Sequence, residues 1–329
     1  MFTRLERGIS IILVFYVDDI IAASNNSSAL EEVISFLKKR FTITVLGSPS
    51  VFVGLQIDRN KEKGTIKLHQ QGFIQRLLSK FNMLDANPIS TPADPNIRLQ
   101  KSARDDKVTF PYAQAVGALL YLAVGTRPDI SYAVGVVTRY MSNPSNAHVT
   151  AVKRIFRYLA STPTLGLTYS RDSDLSVKAY CDADYANCVD DRKSVGAYIF
   201  TFGGSAISWS SKKQTCVATS TTDAEYMSLS QAAREALWIQ KLFLDLKIKC
   251  GDLTIYCDNS GAVALSSNPM IHQRTKHIDV IHHFVREKVL SKQLNVERIP
   301  SNQQLADLLT KALPQGQFQE LVKSLFGSS

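Results

Sequence analysis

The sequence predicts an α/β fold built on a mixed sheet with helices on both faces. From residue 175 onward the apolar runs follow the order βββαβααβα, which a layered sheet flanked by helices can bury. Runs of strand length such as Val195–Phe202 alternate with long helical periods such as Thr222–Leu246. With 45% apolar and 20% charged residues the chain can bury a real core and is not disordered. Its 329 residues leave room for two or three domains.

The elements follow in order. Ser10–Tyr16 and Ile20–Ala23 read as strands flanking Val17-Asp18-Asp19, a hairpin with two aspartates at its tip. Ser27–Arg40 has helical spacing through Leu30, Val33, Ile34 and Leu37. Val51–Asp58 and Gly64–His69 form a second strand pair, and Gly72–Phe81 an amphipathic helix. Asn87–Pro95 carries Pro88, Pro92 and Pro95, so it is extended and reads as a linker. Tyr112–Tyr140 is helical with a break at Thr126–Asp129, where Pro128 suits a new helix start. Asn146–Ala160 is a basic amphipathic helix with Lys153, Arg154 and Arg157 outward. Then come strands Leu175–Tyr185, Val195–Phe202 and Ala206–Ser210, and the helix Thr222–Leu246. The order closes with strand Leu253–Cys257, helices Ser260–Ser266 and Asp279–Lys292, strand Leu294–Ile299 and helix Gln303–Ala312. There is no internal repeat and no low-complexity tract.

The net charge of +9 favours a polyanionic partner, nucleic acid above all. Cys181, Cys188, Cys216, Cys250 and Cys257 show neither a CxxC pair nor a disulfide framework, so a reducing, intracellular setting is expected. The apolar run Ile9–Val17 is too short for a membrane span, lacks a cleavage site and ends in Asp18-Asp19, so it reads as a buried strand.

Four carboxylates sit at the edges of apolar elements: Asp182, Glu225, Asp258 and Asp307. Each has an ordinary reading. Thr222-x-x-Glu225 is a capping box, Asp258 could cap the next helix, and Asp307 pairs with Lys311 at i,i+4. Glu225, however, shares its helix face with Leu229, Ala232 and Ala236 and so points toward the sheet. Together the ordinary readings need four coincidences in one order. Converging carboxylates repel unless a cation lies among them, and a hard divalent ion suits such oxygens.

That order resembles ribonuclease H. The surrounding words, Asp182-Ala-Asp-Tyr-Ala186, Ser208-Trp-Ser-Ser-Lys-Lys-Gln214, Asp223-Ala-Glu-Tyr226, Tyr256-Cys-Asp-Asn259, Arg274-Thr-Lys-His-Ile-Asp279 and Gln304-Leu-Ala-Asp-Leu-Leu-Thr-Lys311, resemble the ribonuclease H domain of copia-type retrotransposon polyproteins. Upstream, Tyr16-Val-Asp-Asp19, Ser90-Thr-Pro92, Gly117-Ala-Leu-Leu-Tyr-Leu122, Thr126-Arg-Pro-Asp-Ile130 and Met141-Ser-Asn-Pro144 extend the resemblance over essentially the whole chain. It implies residues 1–86 as a remnant of reverse transcriptase palm and thumb, 87–172 as linker and helical connection, and 173–329 as a ribonuclease H-like domain. Asp182, Glu225, Asp258 and Asp307 are implied as ligands of two Mg²⁺ ions about 4 Å apart, with Mn²⁺ able to substitute and Asp182 bridging. Asp18 and Asp19 are implied as two of the polymerase's three metal-binding aspartates.

The implied reaction is hydrolysis of the RNA strand of an RNA–DNA hybrid. Lys212, Lys213 and Gln214 read equally as backbone contacts or as a solvated charged turn, and Arg274, Lys276 and His277 form a second basic cluster. Two departures from the family stand out. Only fifteen residues precede Tyr16, so the first polymerase aspartate has no counterpart and polymerisation is not expected. The loop Pro300–Gln304 lacks the histidine that many cellular relatives carry there, leaving His277 between substrate grip, structure and proton transfer. The rival readings are a non-catalytic nucleic-acid-binding remnant and a polymerase completed by a separate N-terminal piece.

Overall fold

The computed structural model describes residues 1–102, 108–248, 251, 253–267 and 279–327, without the side chains of 279–283. The amino-terminal part is a meander of β1 (Phe2–Glu6), β2 (Ile9–Tyr16) and β3 (Asp19–Ser24), followed by α1 (Ser27–Lys38). Asn26 caps α1, its side chain accepting from the Ala29 amide at 2.9 Å. Of the apolar side chains here only Ile11 is fully buried, while Phe2, Phe15, Tyr16 and Phe36 are exposed. The strand expectation for Ile9–Val17 holds; burial of that strand does not.

A second sheet begins with β4 (Val51–Phe52), β5 (Leu55–Asn60) and β6 (Thr65–His69), and α2 (Gln71–Lys80) follows it. Then come α3 (Tyr112–Gly125), a 3-10 turn at Pro128–Ile130, α4 (Ser131–Thr138) and α5 (Asn146–Ser161). The expected helix break falls at Pro128, and a buried network secures it. Arg127 and Asp129 pair at 2.7 Å, Tyr158 donates to Asp129 at 2.6 Å, and Arg127 donates to the Thr162 carbonyl at 2.9 Å. The segment read as a linker is extended but docked. Arg154 pairs with Asp94 at 3.0 Å, and Arg157 donates to the Asn87 carbonyl at 2.7 Å. Those outward arginines of α5 therefore hold the linker, Arg154 through side chains and Arg157 through a backbone carbonyl.

After α5 comes β7 (Leu167–Ser170), which pairs antiparallel with β6, Leu68 opposite Leu167. This strand was not foreseen, and it joins the segments read as separate below 86 and above 87. The third sheet contains β8 (Lys178–Asp184), β9 (Val195–Phe202) and β10 (Ser205–Lys213), then α6 (Thr221–Asp245), β11 (Thr254–Cys257), α7 (Ser260–Ser267), α8 (Asp279–Leu290) and β12 (Asn295–Arg298). Its order is β10-β9-β8-β11-β12, with β8, β11 and β12 parallel and the other pairs antiparallel: the mixed sheet the sequence predicts. The chain ends in α9 (Asp307–Thr310) and α10 (Gln315–Phe326), the latter unforeseen.

Both faces of this sheet are covered. Ala179, Cys181, Phe200, Ile255 and Cys257 pack under Leu229, Ala232 and Ala236 of α6. Ala197, Ile199 and Ala206 join a cluster with Leu119, Val134 and Ile155 of α3–α5 and with Leu308, Leu309 and Leu325 of α9 and α10. The boundary drawn at 172 is thus not a break in packing, because the connection helices and the sheet share one apolar core. Among the described residues no helix is long and apolar enough to cross a membrane.

Candidate active site

The four acidic side chains gather at the carboxyl ends of the parallel strands β8 and β11, where open sheets commonly place ligands. Asp182, near the end of β8, is 2% exposed and faces α9, as period-two alternation after Tyr180 requires. It accepts a hydrogen bond from the Thr310 hydroxyl and lies 3.8 Å from Lys311 Nζ. Lys311 Nζ stands 2.8 Å from Asp307 Oδ1, an ion pair without hydrogen-bond alignment. The foreseen i,i+4 pair therefore exists, with its carboxylate buried and its ammonium half-exposed. Gln304, fully buried, donates from Nε2 to the Cys181 carbonyl at 2.9 Å and pins the α9 turn to β8.

Glu225 reaches the site from the other face. The capping box does not form around it: Ser220 is the cap, its hydroxyl accepting from the Asp223 amide, so α6 starts earlier and Glu225 falls within the helix. Close approach of α6 to β9 requires Gly196, since a Cβ there would meet Ser228 Oγ at 2.5 Å. Asp258 is likewise released from capping, because Asn259 accepts from the Ala262 amide at 3.0 Å. Glu225, Cys257 and Asp258 present ligand atoms within 4.8 Å of one another. The quartet therefore divides into two halves: this group, and the Asp182–Asp307 pair bridged by Lys311.

The electrostatics are unbalanced. Burial, reinforced by Asp182, Cys257 and Asp258, pushes the Glu225 carboxyl up to about 11. Burial and the Asp182 charge push Asp307 up to about 7, Lys311 opposing them. Burial works against the Lys311 ammonium, but Asp182 and Asp307 outweigh it and hold its pKa above the ordinary value. One ammonium facing this many carboxylates leaves a deficit of positive charge. The oxygen-rich donor set fits a hard divalent cation, with the Cys257 sulfur as the one soft atom beside it.

The remaining sequence candidates divide. Asp18 and Asp19 lie exposed at the β2–β3 turn, Tyr16 opposite Asp19, and among the described residues no third acidic ligand joins them. Lys212 is exposed, while Lys213 pairs with Asp191 at 2.7 Å. Gln214 is buried at 4% exposure and donates to the Ala224 carbonyl at 2.8 Å, tying the end of β10 to α6. Neither of its two readings, backbone contact or solvated turn, fits that burial: Gln214 is a structural tie. Arg274, Lys276 and His277 lie outside the described residues. Thr310, Lys311 and Gln304 were not singled out for the site, although all stand within the motif quoted around Asp307.

Comparison with known proteins places the sequence. The family model "Reverse transcriptase (RNA-dependent DNA polymerase)" matches residues 1–95. The chain is 40% identical over 333 residues to the retrovirus-related Pol polyprotein from transposon TNT 1-94 of Nicotiana tabacum, covering 99% of this chain and 25% of that protein. It is 31% identical to the putative transposon Ty5-1 protein of Saccharomyces cerevisiae, over 68% of this chain and 73% of that one. The chain belongs to the copia-type retrotransposon Pol polyproteins. This Pol chain spans about a quarter of the length of the first of these relatives. Among solved structures it is similar to LC11-RNase H1 in complex with an RNA/DNA hybrid, at 16% identity and TM-score 0.32, over 41% of the Pol chain and 94% of that one.

Proposed function

We propose that this Pol chain hydrolyses the RNA strand of RNA–DNA hybrids in the presence of Mg²⁺, Mn²⁺ being able to substitute. What supports the reading above all is the excess of carboxylate at the ends of β8 and β11, drawn from four separate elements, with Asp182, Glu225 and Asp307 buried and Asp258 half-buried. Asp182, Glu225, Asp258 and Asp307 would hold the ions, which when bound supply an activated water and charge for the leaving oxygen.

The chain's own groups orient and neutralise. Thr310 fixes the Asp182 carboxylate, and Gln304 holds the turn that carries Asp307. Lys311 offsets the Asp182–Asp307 pair and faces the cleft where a phosphodiester would lie. Cleavage of RNA rather than DNA calls for contacts to 2′-hydroxyls along a shallow minor groove. Cys181, Cys188, Cys216 and Cys257 are free thiols, which suits an intracellular setting. Polymerisation is not part of the reading, since Asp18 and Asp19 stand without a third acidic partner among the described residues.

The test is Mg²⁺-dependent cleavage of a labelled hybrid by the purified chain, with RNA and DNA duplexes as controls. Asp182→Asn should abolish cleavage and leave the circular dichroism spectrum unchanged. Equal cleavage by wild type and variant, or none by either, would overturn the proposal.

A further inference from the structure

Beside the acidic centre lies a cleft of about 80 Å³ whose walls come from two different parts of the chain. One wall is the β8–β9 turn with Asp184 and Asn187; the other is Arg98 of the docked linker with Tyr132 and Arg139 of the α4 region. Lys311 lines the same cleft and links it to the Asp182–Asp307 pair, from which its Nζ stands 3.8 and 2.8 Å away.

Most charges around it are already matched. Asp94 pairs with Arg154 and Lys311 with Asp307, while the Asp184 carboxylate accepts from the neutral Asn187 side-chain amide and is offset in charge by Lys311 and Arg98 without an ion pair to Arg98. The two arginines differ. Among the described residues neither Arg98 nor Arg139 has an ion pair, and Arg139 Nε is buried without a hydrogen-bond partner. A buried guanidinium nitrogen left unmatched is costly unless something supplies an acceptor. The linker brings Arg98 there by design of its backbone: Asp94, held by Arg154, accepts from the Asn96 amide at 3.0 Å and turns the chain toward the cleft. Guanidinium forks match phosphate oxygens better than any other side chain does.

The geometry points to this cleft as a subsite for a backbone phosphate neighbouring the scissile one, gripped by Arg98 and Arg139. The connection segment thereby supplies part of the substrate surface. The inference rests on the proposed hydrolysis for its substrate, but its test does not need cleavage.

Binding of an RNA–DNA hybrid is followed by fluorescence anisotropy in the Asp182→Asn chain across a KCl series. The double change Arg98→Gln/Arg139→Gln should weaken binding roughly tenfold and lower the log–log salt slope by about 0.7–0.9 for one phosphate. Lys38→Gln/Lys39→Gln on α1 removes the same net charge and should leave the slope unchanged. Arg98→Lys/Arg139→Lys should restore most of it. If the double variant melts early, Arg98→Gln alone serves, since Arg98 is exposed and makes no ion pair among the described residues. A slope and affinity equal to the parent's would overturn the subsite. Loss of slope together with no cleavage by the chain that keeps Asp182 would retain the subsite and discard the hydrolysis; cleavage by that chain without loss of slope would do the reverse.

Discussion

Replacing Glu225 by glutamine should make the cation-free protein more stable, not less. Glu225 is 6% exposed, and burial beside Asp182, Cys257 and Asp258 raises it from 4.5 to about 11. At neutral pH the folded protein must therefore hold a proton that the unfolded chain gives up. Each pH unit between 4.5 and 7 costs about 1.4 kcal/mol, so the burden at pH 7 is about 3 kcal/mol. The sign follows from the raised value: this contribution is fully present below pH 4.5 and is lost progressively as pH rises toward 11. Glutamine has the same shape and nothing to titrate. Denaturant unfolding in EDTA across pH 4.5 to 9 should show the variant gaining on wild type as pH rises, with the curves meeting at the acid end. Mg²⁺ should stabilise wild type most at high pH, where the proton leaves readily, and stabilise Glu225→Gln far less. Parallel pH curves, or a variant less stable at pH 8, would refute the account of the site as an uncompensated acidic pocket.

Three further outcomes are expected. Arg127→Met should cost about 3–5 kcal/mol in denaturant unfolding, because Asp129 is left buried without its cation; a loss below about 1 kcal/mol would show the pair to be idle. Arg127→Met with Asp129→Leu should recover most of that cost by removing both charges. Templated primer extension by the chain should be undetectable, and any extension abolished by Asp18→Asn would show that the two exposed aspartates suffice.

The sheet was legible because its strands carry their own signals. Val195–Phe202 is a bounded apolar run, and each of Asp182 and Asp258 interrupts or follows such a run where a strand gives way. The α4 start was legible from Pro128, which fixes the backbone before any packing is known. What escaped was non-local. β7 is four residues long and becomes a strand only because β6 lies beside it, some hundred positions earlier. α10 looked unremarkable until Phe318, Leu321 and Leu325 found the core shared with α5 and α9. The roles of Glu225 and Asp258 turned on single hydrogen bonds: Ser220 and Asn259 take the capping work that local spacing assigned to the acids. The cleft arginines were invisible for a similar reason, since Arg98 acquires its place through the Asp94–Arg154 clasp.

The pairing of β6 with β7 has a consequence for how this molecule can be divided. A strand from before the linker is stitched to one just ahead of the five-stranded sheet, and Ser205 of β10 donates to the Leu325 carbonyl of α10 at 3.0 Å. Scissors applied at residue 172 would leave raw apolar surface on both pieces, so the acidic centre is not a cassette that can be lifted out. The seam lies earlier. Between α1 and β4 nothing is fully buried, and the meander ahead of it keeps only Ile11 in its interior. Recombination within such an element would preserve an intact centre when it cuts near that seam, and would scramble it when it cuts inside the stitched region.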